Sequence, residues 1–268
     1  MSEISYPHIR TQTNLKKKTD QKHIQTNSSD FDLEDMLHRF QHAPDQTAFL
    51  GMVGEDFPVM FDLKDPRTQS ILTVSDHLPS LRRLMLVMVQ SIAAYTTPEN
   101  FQYVVISDYP EKWMQTIEKF DSNYEYCAGV SGGYENSAED WILYLASKTE
   151  SRLNGRQNSA SVILFVDDLN QLEKMDMQVR LNYDWMLRHS SKVNIWMVAG
   201  TDAQQVHQAR QNVNRFRTRI FGQMDHKLAP SFKDIIPVSI LETLEPNRNF
   251  STKIGSDWIR FWAPKLQG

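Results

Sequence analysis

The chain predicts a three-layer α/β fold with a mostly parallel central sheet and a small C-terminal β extension. Four short apolar runs carry the prediction: 70–74 (SILTV), 101–106 (FQYVVI), 162–166 (VILFV) and 194–199 (NIWMVA). None shows the apolar–polar alternation of a half-exposed strand, so each suits a strand covered on both faces. Helix-like segments of roughly 10 to 20 residues separate them, as crossovers between parallel strands require. At 268 residues, 40% hydrophobic and 23% charged, the chain can bury one large core, with or without a small appendage.

Residues 1–30 are polar, rich in Thr, Gln, Asn and Lys, and have no apolar period, so a disordered tail is expected there. Lys16, Lys17 and Lys18 within it read as a solvated charge run, with contact to phosphates or acidic partners as the other reading. Residues 31–229 form the main domain and 230–268 the extension.

A short helix over 31–40 precedes a hairpin of 47–53 with 58–63, turned at Gly54, Glu55 and Asp56. After the strand at 70–74 comes a helix over 79–95, with Pro at its first turn and apolar residues nearly all round, as a buried helix needs. The strand at 101–106 leads to a helix over 112–120 and a weaker strand over 124–128. An amphipathic helix over 137–153 opens with Ser137 and Asp140 spaced as a capping box. The strand at 162–166 ends in Asp167 and Asp168, and a helix over 178–190 follows. After 194–199 come a helix over 203–213 and a strand over 219–224. Strands 252–254 and 258–262 close the chain as a hairpin, where Trp258, Phe261, Trp262 and Pro264 gather as an aromatic cluster.

Charge and cysteine content narrow the functional classes. A net charge of −4 gives no overall pull toward nucleic acid or anionic membranes, though it leaves a local basic face open. The single cysteine, Cys127, allows no internal disulfide and fits a reducing cytoplasm. The most apolar stretch, 84–95, is far shorter than the roughly 20 residues a bilayer span needs, so no membrane insertion is expected. The eight histidines are scattered and, with a single cysteine in the chain, complete no Cys/His zinc spacing, so no metal site is expected.

Several stretches together resemble the FtsK/SpoIIIE family of ring-forming DNA translocases and the related ATPase modules of type VII secretion. GEDFPVMFDLKDP at 54–66 looks like the family's lead-in strand. Residues 72–108, LTVSDHLPSLRRLMLVMVQSIAAYTTPENFQYVVISD, look like its strand, loop, buried helix and next strand. VILFVDDL at 162–169 looks like the acidic-pair strand. NIWMVAGTDAQQV, followed by NRFRTRIFGQM, resembles the sensor strand and the arginine-bearing strand after it. The resemblance covers residues 47–224 and implies a RecA-like P-loop ATPase fold, oligomerisation, and a setting of DNA translocation or protein export.

The departure from the family pattern is equally specific. Laid on this chain, the phosphate loop G-x-x-x-x-G-K-[ST] puts the family's glycines at Ser75, Leu78 and Ser80, with Asp76 between. The phosphate lysine falls on Leu81 and the Mg²⁺-binding hydroxyl on Arg82. Glycines let consecutive N–H groups wrap a phosphate, and the lysine neutralises it. Leu81 carries no charge, Pro79 has no N–H, and Arg82 is no metal ligand. ATP and Mg²⁺ are therefore not expected to bind in the usual mode. Asp167 and Asp168 read first as carboxylates capping a turn, and second as a vestigial Mg²⁺ or water site. Arg82 and Arg83 are expected to pair with Asp76, Asp108, Asp167 or Asp168, placing an internal salt bridge where nucleotide charge would sit. Arg217 and Arg219, at the family's arginine position, read equally as ordinary strand-edge residues or as inter-subunit arginines.

One competing motif remains. Residues 129–133 (GVSGG) match the G-x-S-x-G nucleophile elbow, with His189 and His207 downstream, but no helix follows directly as the elbow requires. The expectation is a non-catalytic pseudo-ATPase that binds protein partners, in a homo-oligomer or beside an active relative. An ATP-dependent DNA motor with an unconventional phosphate loop and a DNA-binding accessory protein are the alternatives.

Overall fold

The computed structural model describes residues 31–65, 69–155 and 160–266. The expectations for residues 1–30, the three-lysine run included, lie outside the described residues.

Helix α1 (Leu33–Arg39) is followed by hairpin β1 (Thr47–Val53) and β2 (Phe57–Asp62). Strand β3 (Ile71–Ser75) leads into α2 (Leu78–Ala94), β4 (Phe101–Ser107) into α3 (Pro110–Phe120), and β5 (Cys127–Gly132) into α4 (Asn136–Leu153). Then come β6 (Ser161–Val166), a 3₁₀ turn (Leu169–Lys174), α5 (Met177–His189), β7 (Ile195–Asp202), α6 (Val206–Arg215) and β8 (Thr218–Phe221). A short helix, α7 (Val238–Leu241), precedes β9 (Asn249–Ile254) and β10 (Asp257–Trp262).

One ten-stranded sheet runs through the described residues in the order β2-β1-β10-β9-β8-β3-β7-β6-β4-β5. From β8 to β5 every pairing is parallel. From β2 to β8 every pairing is antiparallel. The C-terminal hairpin thus lies inside the main sheet, between β8 and β1.

The two-sided reading of the central runs holds residue by residue. In β6, Ile163 and Phe165 enter the core on one face, and Val162, Leu164 and Val166 enter the core on the other. Helix α2 supplies the first face with Leu81, Leu84, Met85, Met88, Val89 and Ile92, beside Trp113 and Ile117 of α3. Helices α4, α5 and α6 cover the second, joined by Phe232, Ile236 and Leu241 of the C-terminal segment. Ser91, a polar residue inside α2, is fully buried, and its hydroxyl accepts the Phe49 N–H at 2.9 Å, tying hairpin β1 to the helix.

Two local expectations change. The stretch 124–126 is a turn, because the Asp121 carboxylate accepts the Glu125 and Tyr126 N–H groups at 2.8 and 3.0 Å. The strand lies further on, at β5, where the glycine-rich run pairs with β4. The capping box is absent: the N-cap position of α4 is Glu135, which makes no side-chain capping bond and instead accepts the Ser137 hydroxyl at 2.9 Å.

The join between the two hairpins leaves no room for a side chain. A Cβ on Gly51 would sit 2.0 Å from the Trp262 carbonyl oxygen. Gly51→Ala should therefore cost about 2 kcal/mol or more and lower Tm by roughly 4–8 °C, read by thermal denaturation against wild type.

Candidate functional site

In a sheet of this topology ligands collect at the carboxyl ends of the parallel strands, here the edge formed by Ser75, Ser107, Asp167 and Asp202. Strand β7 lies between β3 and β6, so the loop after β3 and the acidic pair after β6 converge across it. Gly200 of β7 permits the approach: a Cβ there would be 2.3 Å from the Asp167 carbonyl oxygen and 3.4 Å from Leu81.

Asp167 is the centre of the site, with a side chain only 5% exposed. Its Oδ2 accepts from Arg82 Nη2 at 3.1 Å and Nε at 3.2 Å, from Ser107 Oγ at 2.5 Å and from Trp113 Nε1 at 3.1 Å. Its Oδ1 accepts from Gln171 Nε2 at 2.9 Å. The donors come from four elements: the first turn of α2, the end of β4, α3, and the 3₁₀ turn after β6. Arg82, 13% exposed, also lies over the Tyr109 ring at 5.4 Å, and Lys112 covers the same ring at 4.3 Å. The expected arginine–aspartate pair therefore forms, between Arg82 and Asp167. Arg83 is exposed, Asp108 is exposed, and Asp76 accepts the Asp225 N–H at 2.6 Å.

Asp168 turns away and caps the 3₁₀ turn by accepting the Asn170 N–H at 3.1 Å. Burial raises its carboxyl pKa above the ordinary value, with the neighbouring charges of Asp167 and Asp108 adding to the shift and the Asn170 hydrogen bonds opposing it.

The positions aligned with the phosphate loop are tightly placed. Strand β3 ends at Ser75 and α2 begins at Leu78, so only Asp76 and His77 connect them. The Ser75 hydroxyl donates to the Gln223 carbonyl at 2.7 Å and accepts the His77 N–H at 3.1 Å. His77 Nδ1 meets Ser80 Oγ at 2.6 Å. Ser80 is buried and Leu81 is fully buried, packed in the core beneath α2.

Arg217 and Arg219 are not brought to this edge. Strand β8 runs parallel to β3, so its first residues lie at the sheet's amino edge. Arg217 is exposed, and Arg219 donates from Nε to the Phe216 carbonyl at 3.0 Å, its guanidinium pKa lowered by burial. The G-x-S-x-G serine, Ser131, is buried in β5, while His189 rests on Trp185 and His207 meets Gln211 on α6. Among the described residues no group of three or more His, Cys, Asp or Glu is arranged to hold a metal ion. Nor is any helix there long and apolar enough to cross a membrane.

No family model matches the sequence and no curated protein matches it. Solved structures do. The cytoplasmic domain of the Thermomonospora curvata type VII secretion ATPase EccC superposes with a TM-score of 0.69 at 14% identity, over 90% of this chain and 32% of that one. The chain has the fold of FtsK-type P-loop ATPase domains. EssC (ATPases 2 and 3) from Geobacillus thermodenitrificans gives 0.66 at 13% identity, over 90% and 46% of the two chains. The pCW3 conjugation coupling protein TcpA, in its monomer form with ATPγS, gives 0.60 at 16%, over 82% and 66%. The chain spans about a third to a half of the length of the secretion ATPases it matches. Within this ATPase fold, sequence reasoning placed the loop positions and the acidic pair at one edge. It missed Ser107, Trp113 and Gln171, whose spacing carries no motif.

Two tests follow from this geometry. Asp167→Ala leaves a buried guanidinium and three neutral donors without their acceptor, and is expected to cost about 3–5 kcal/mol. The double variant Arg82→Met/Asp167→Leu should recover much of that loss, both read by chemical denaturation. For Asp168 the sign is opposite to that of a stabilising carboxylate. Its raised pKa means that the native state holds the proton to higher pH than the unfolded state. The charged form therefore costs stability once pH has passed through that window. Asp168→Asn should thus be more stable than wild type at neutral pH, with the gap closing as pH falls below the ordinary aspartate range.

Proposed function

We propose that this chain is a non-catalytic ATPase-fold subunit that works by binding protein partners, in a homo-oligomer or beside an active relative. The observation that carries this reading is the Arg82–Asp167 pair at the carboxyl edge of β6. The fold family implies ATP and Mg²⁺, and the residues present fit neither. A P-loop needs several residues of flexible backbone to turn consecutive N–H groups on a phosphate, whereas two residues connect β3 to α2. The position of the phosphate lysine is a leucine sealed in the core. The position of the metal-binding hydroxyl is an arginine, already paired with the acid that would act through Mg²⁺. Both oxygens of that acid are engaged by the chain's own donors.

Partner binding is supported by the company the fold keeps: two of its structural neighbours are a type VII secretion ATPase and a conjugation coupling protein. A subunit retaining that shape without the loop keeps the surfaces and loses the chemistry.

Calorimetric titration of ATP and of ADP, each with Mg²⁺, into the purified chain tests the reading directly. No binding heat and no nucleotide carried through purification are the expected results. Micromolar binding of either nucleotide would overturn it, and turnover stimulated by DNA would replace it with the motor reading.

A further inference from the structure

The outer end of the sheet differs in charge from the rest of the molecule. Between residues 108 and 150, the stretch that holds α3, β5 and α4, the chain carries nine acidic and three basic residues, although its overall balance is only −4. Among the described residues, strand β5 is the last strand of the sheet and pairs only with β4. Its two helices lie on opposite faces, with Trp113 and Ile117 of α3 in one core and Ala138 and Ile142 of α4 in the other.

Between β5 and α4 lies a groove of about 350 Å³, lined by Ala128, Asp140, Trp141, Tyr144 and Lys148 among others. Its shape follows from small residues. The Trp141 indole rests where a Cβ on Gly129 would stand, 2.7 Å from its ring, so the edge strand cannot fill the space with side chains of its own. Trp141 and Tyr144 meet edge to face at 5.8 Å, and Lys148 lies over the Tyr144 ring at 5.5 Å. Tyr144, Leu143 and Tyr134 stand in solvent at 53%, 39% and 73% exposure. Exposed aromatic surface of this kind beside unpaired strand backbone suits an added extended segment. The acidic surroundings select against a second copy of the same face and for a basic occupant.

The chain itself contains one. Residues 9–24 hold five Lys and Arg residues, Arg10, Lys16, Lys17, Lys18 and Lys22, against the single acid Asp20, with Ile9, Leu15 and Ile24 as apolar anchors. We propose that this N-terminal segment docks on the β5–α4 face, with Lys16 to Lys18 against Glu135, Glu139 and Asp140 and an apolar side chain in the groove. The described chain begins at Phe31, and Asp32 bridges to Lys265 near β10, toward the other end of the sheet. Strands spaced by roughly 4.8 Å put the β5 edge on the order of 40 Å away. Fourteen residues separate Lys18 from Asp32, and extended chain covers about 46 Å over that length, so the segment reaches its own face as well as a neighbour's. Spanning about 40 of 46 Å leaves that tether nearly taut, so docking in cis gains little from local concentration. Docking in trans would link copies, and docking in cis would cover the face.

Zero-length carbodiimide cross-linking of the full chain, read by mass spectrometry, tests the proposal. At about 50 mM salt, where Debye screening is weak, the Lys16, Lys17 and Lys18 amines are expected to join mainly to Glu135, Glu139 and Asp140. The surface variant Leu143→Lys/Tyr144→Lys, which leaves every cross-linked residue in place, should reduce those links about fivefold or more, as should raising salt to about 500 mM. Mixing ¹⁴N- and ¹⁵N-labelled protein assigns the contact to one chain or to two, and either pattern supports the docking. Links scattered over acids of other faces, such as Asp56, Asp234 and Glu242, would overturn it. So would links unchanged in the variant, links between the faces of two copies with none from the N-terminal lysines, or no such links at all. None of these outcomes depends on whether nucleotide binds.

Discussion

A carboxylate buried at the end of a strand imposes the central constraint on this molecule. Taking an ionised aspartate out of water costs several kcal/mol unless charge and hydrogen bonds replace the lost hydration. Asp167 draws that replacement from four separate elements, through Arg82, Ser107, Trp113 and Gln171. Each donor must therefore be held to hydrogen-bond distance, which fixes the first turn of α2, the end of β4, the placement of α3 and the turn after β6 relative to one another. In an ATPase of this fold the equivalent edge is organised around bound phosphate and metal. Here the protein's own guanidinium places positive charge at that edge. Buried ion pairs add little net stability compared with apolar packing. What this one contributes is a single defined arrangement.

Much of the fold was legible because the central strands are apolar on both faces. A run such as VILFV at Val162 to Val166 has no solvent side, so its place in the middle of a covered sheet follows from composition alone. Strand β5 was not legible for the complementary reason. It sits at the edge, Trp141 lies over Gly129 on one face while only Cys127 and Val130 pack on the core from the other, and a run of glycines signals a loop to any local rule. The insertion of the C-terminal hairpin between β8 and β1 was equally hidden. Its pairing of Met52 with Trp262 spans almost the whole chain, and nothing near either residue records the partner.

At the site, the sequence brought Arg82 and the acids to one edge but left four candidate acids open. Geometry makes the choice. Asp76 is drawn off by the Asp225 N–H, Asp168 by the 3₁₀ turn and Asp108 by exposure, which leaves Asp167 facing α2. Ser107, Trp113 and Gln171 carried no signal because a carboxylate accepts from any donor that packing delivers, and such donors need no fixed spacing. Gly200 is the same kind of residue: its role is an absent Cβ beside the Asp167 carbonyl, visible only once β6 and β7 lie side by side.

The cost of reopening the edge decides how it would meet a nucleotide. To wrap a phosphate, the two-residue connection would have to lengthen at the expense of the first turn of α2, which draws Leu81 out of the core and Arg82 off Asp167. Exposing a buried leucine costs about 1.5–3 kcal/mol, and separating a buried pair about 3–5 kcal/mol. A nucleotide with micromolar intrinsic affinity brings about 8 kcal/mol. On the proposed non-catalytic reading, nucleotide is therefore expected to bind at millimolar affinity or weaker. Only Asp76 and His77 separate β3 from α2, and Leu81 is packed in the core beneath the helix.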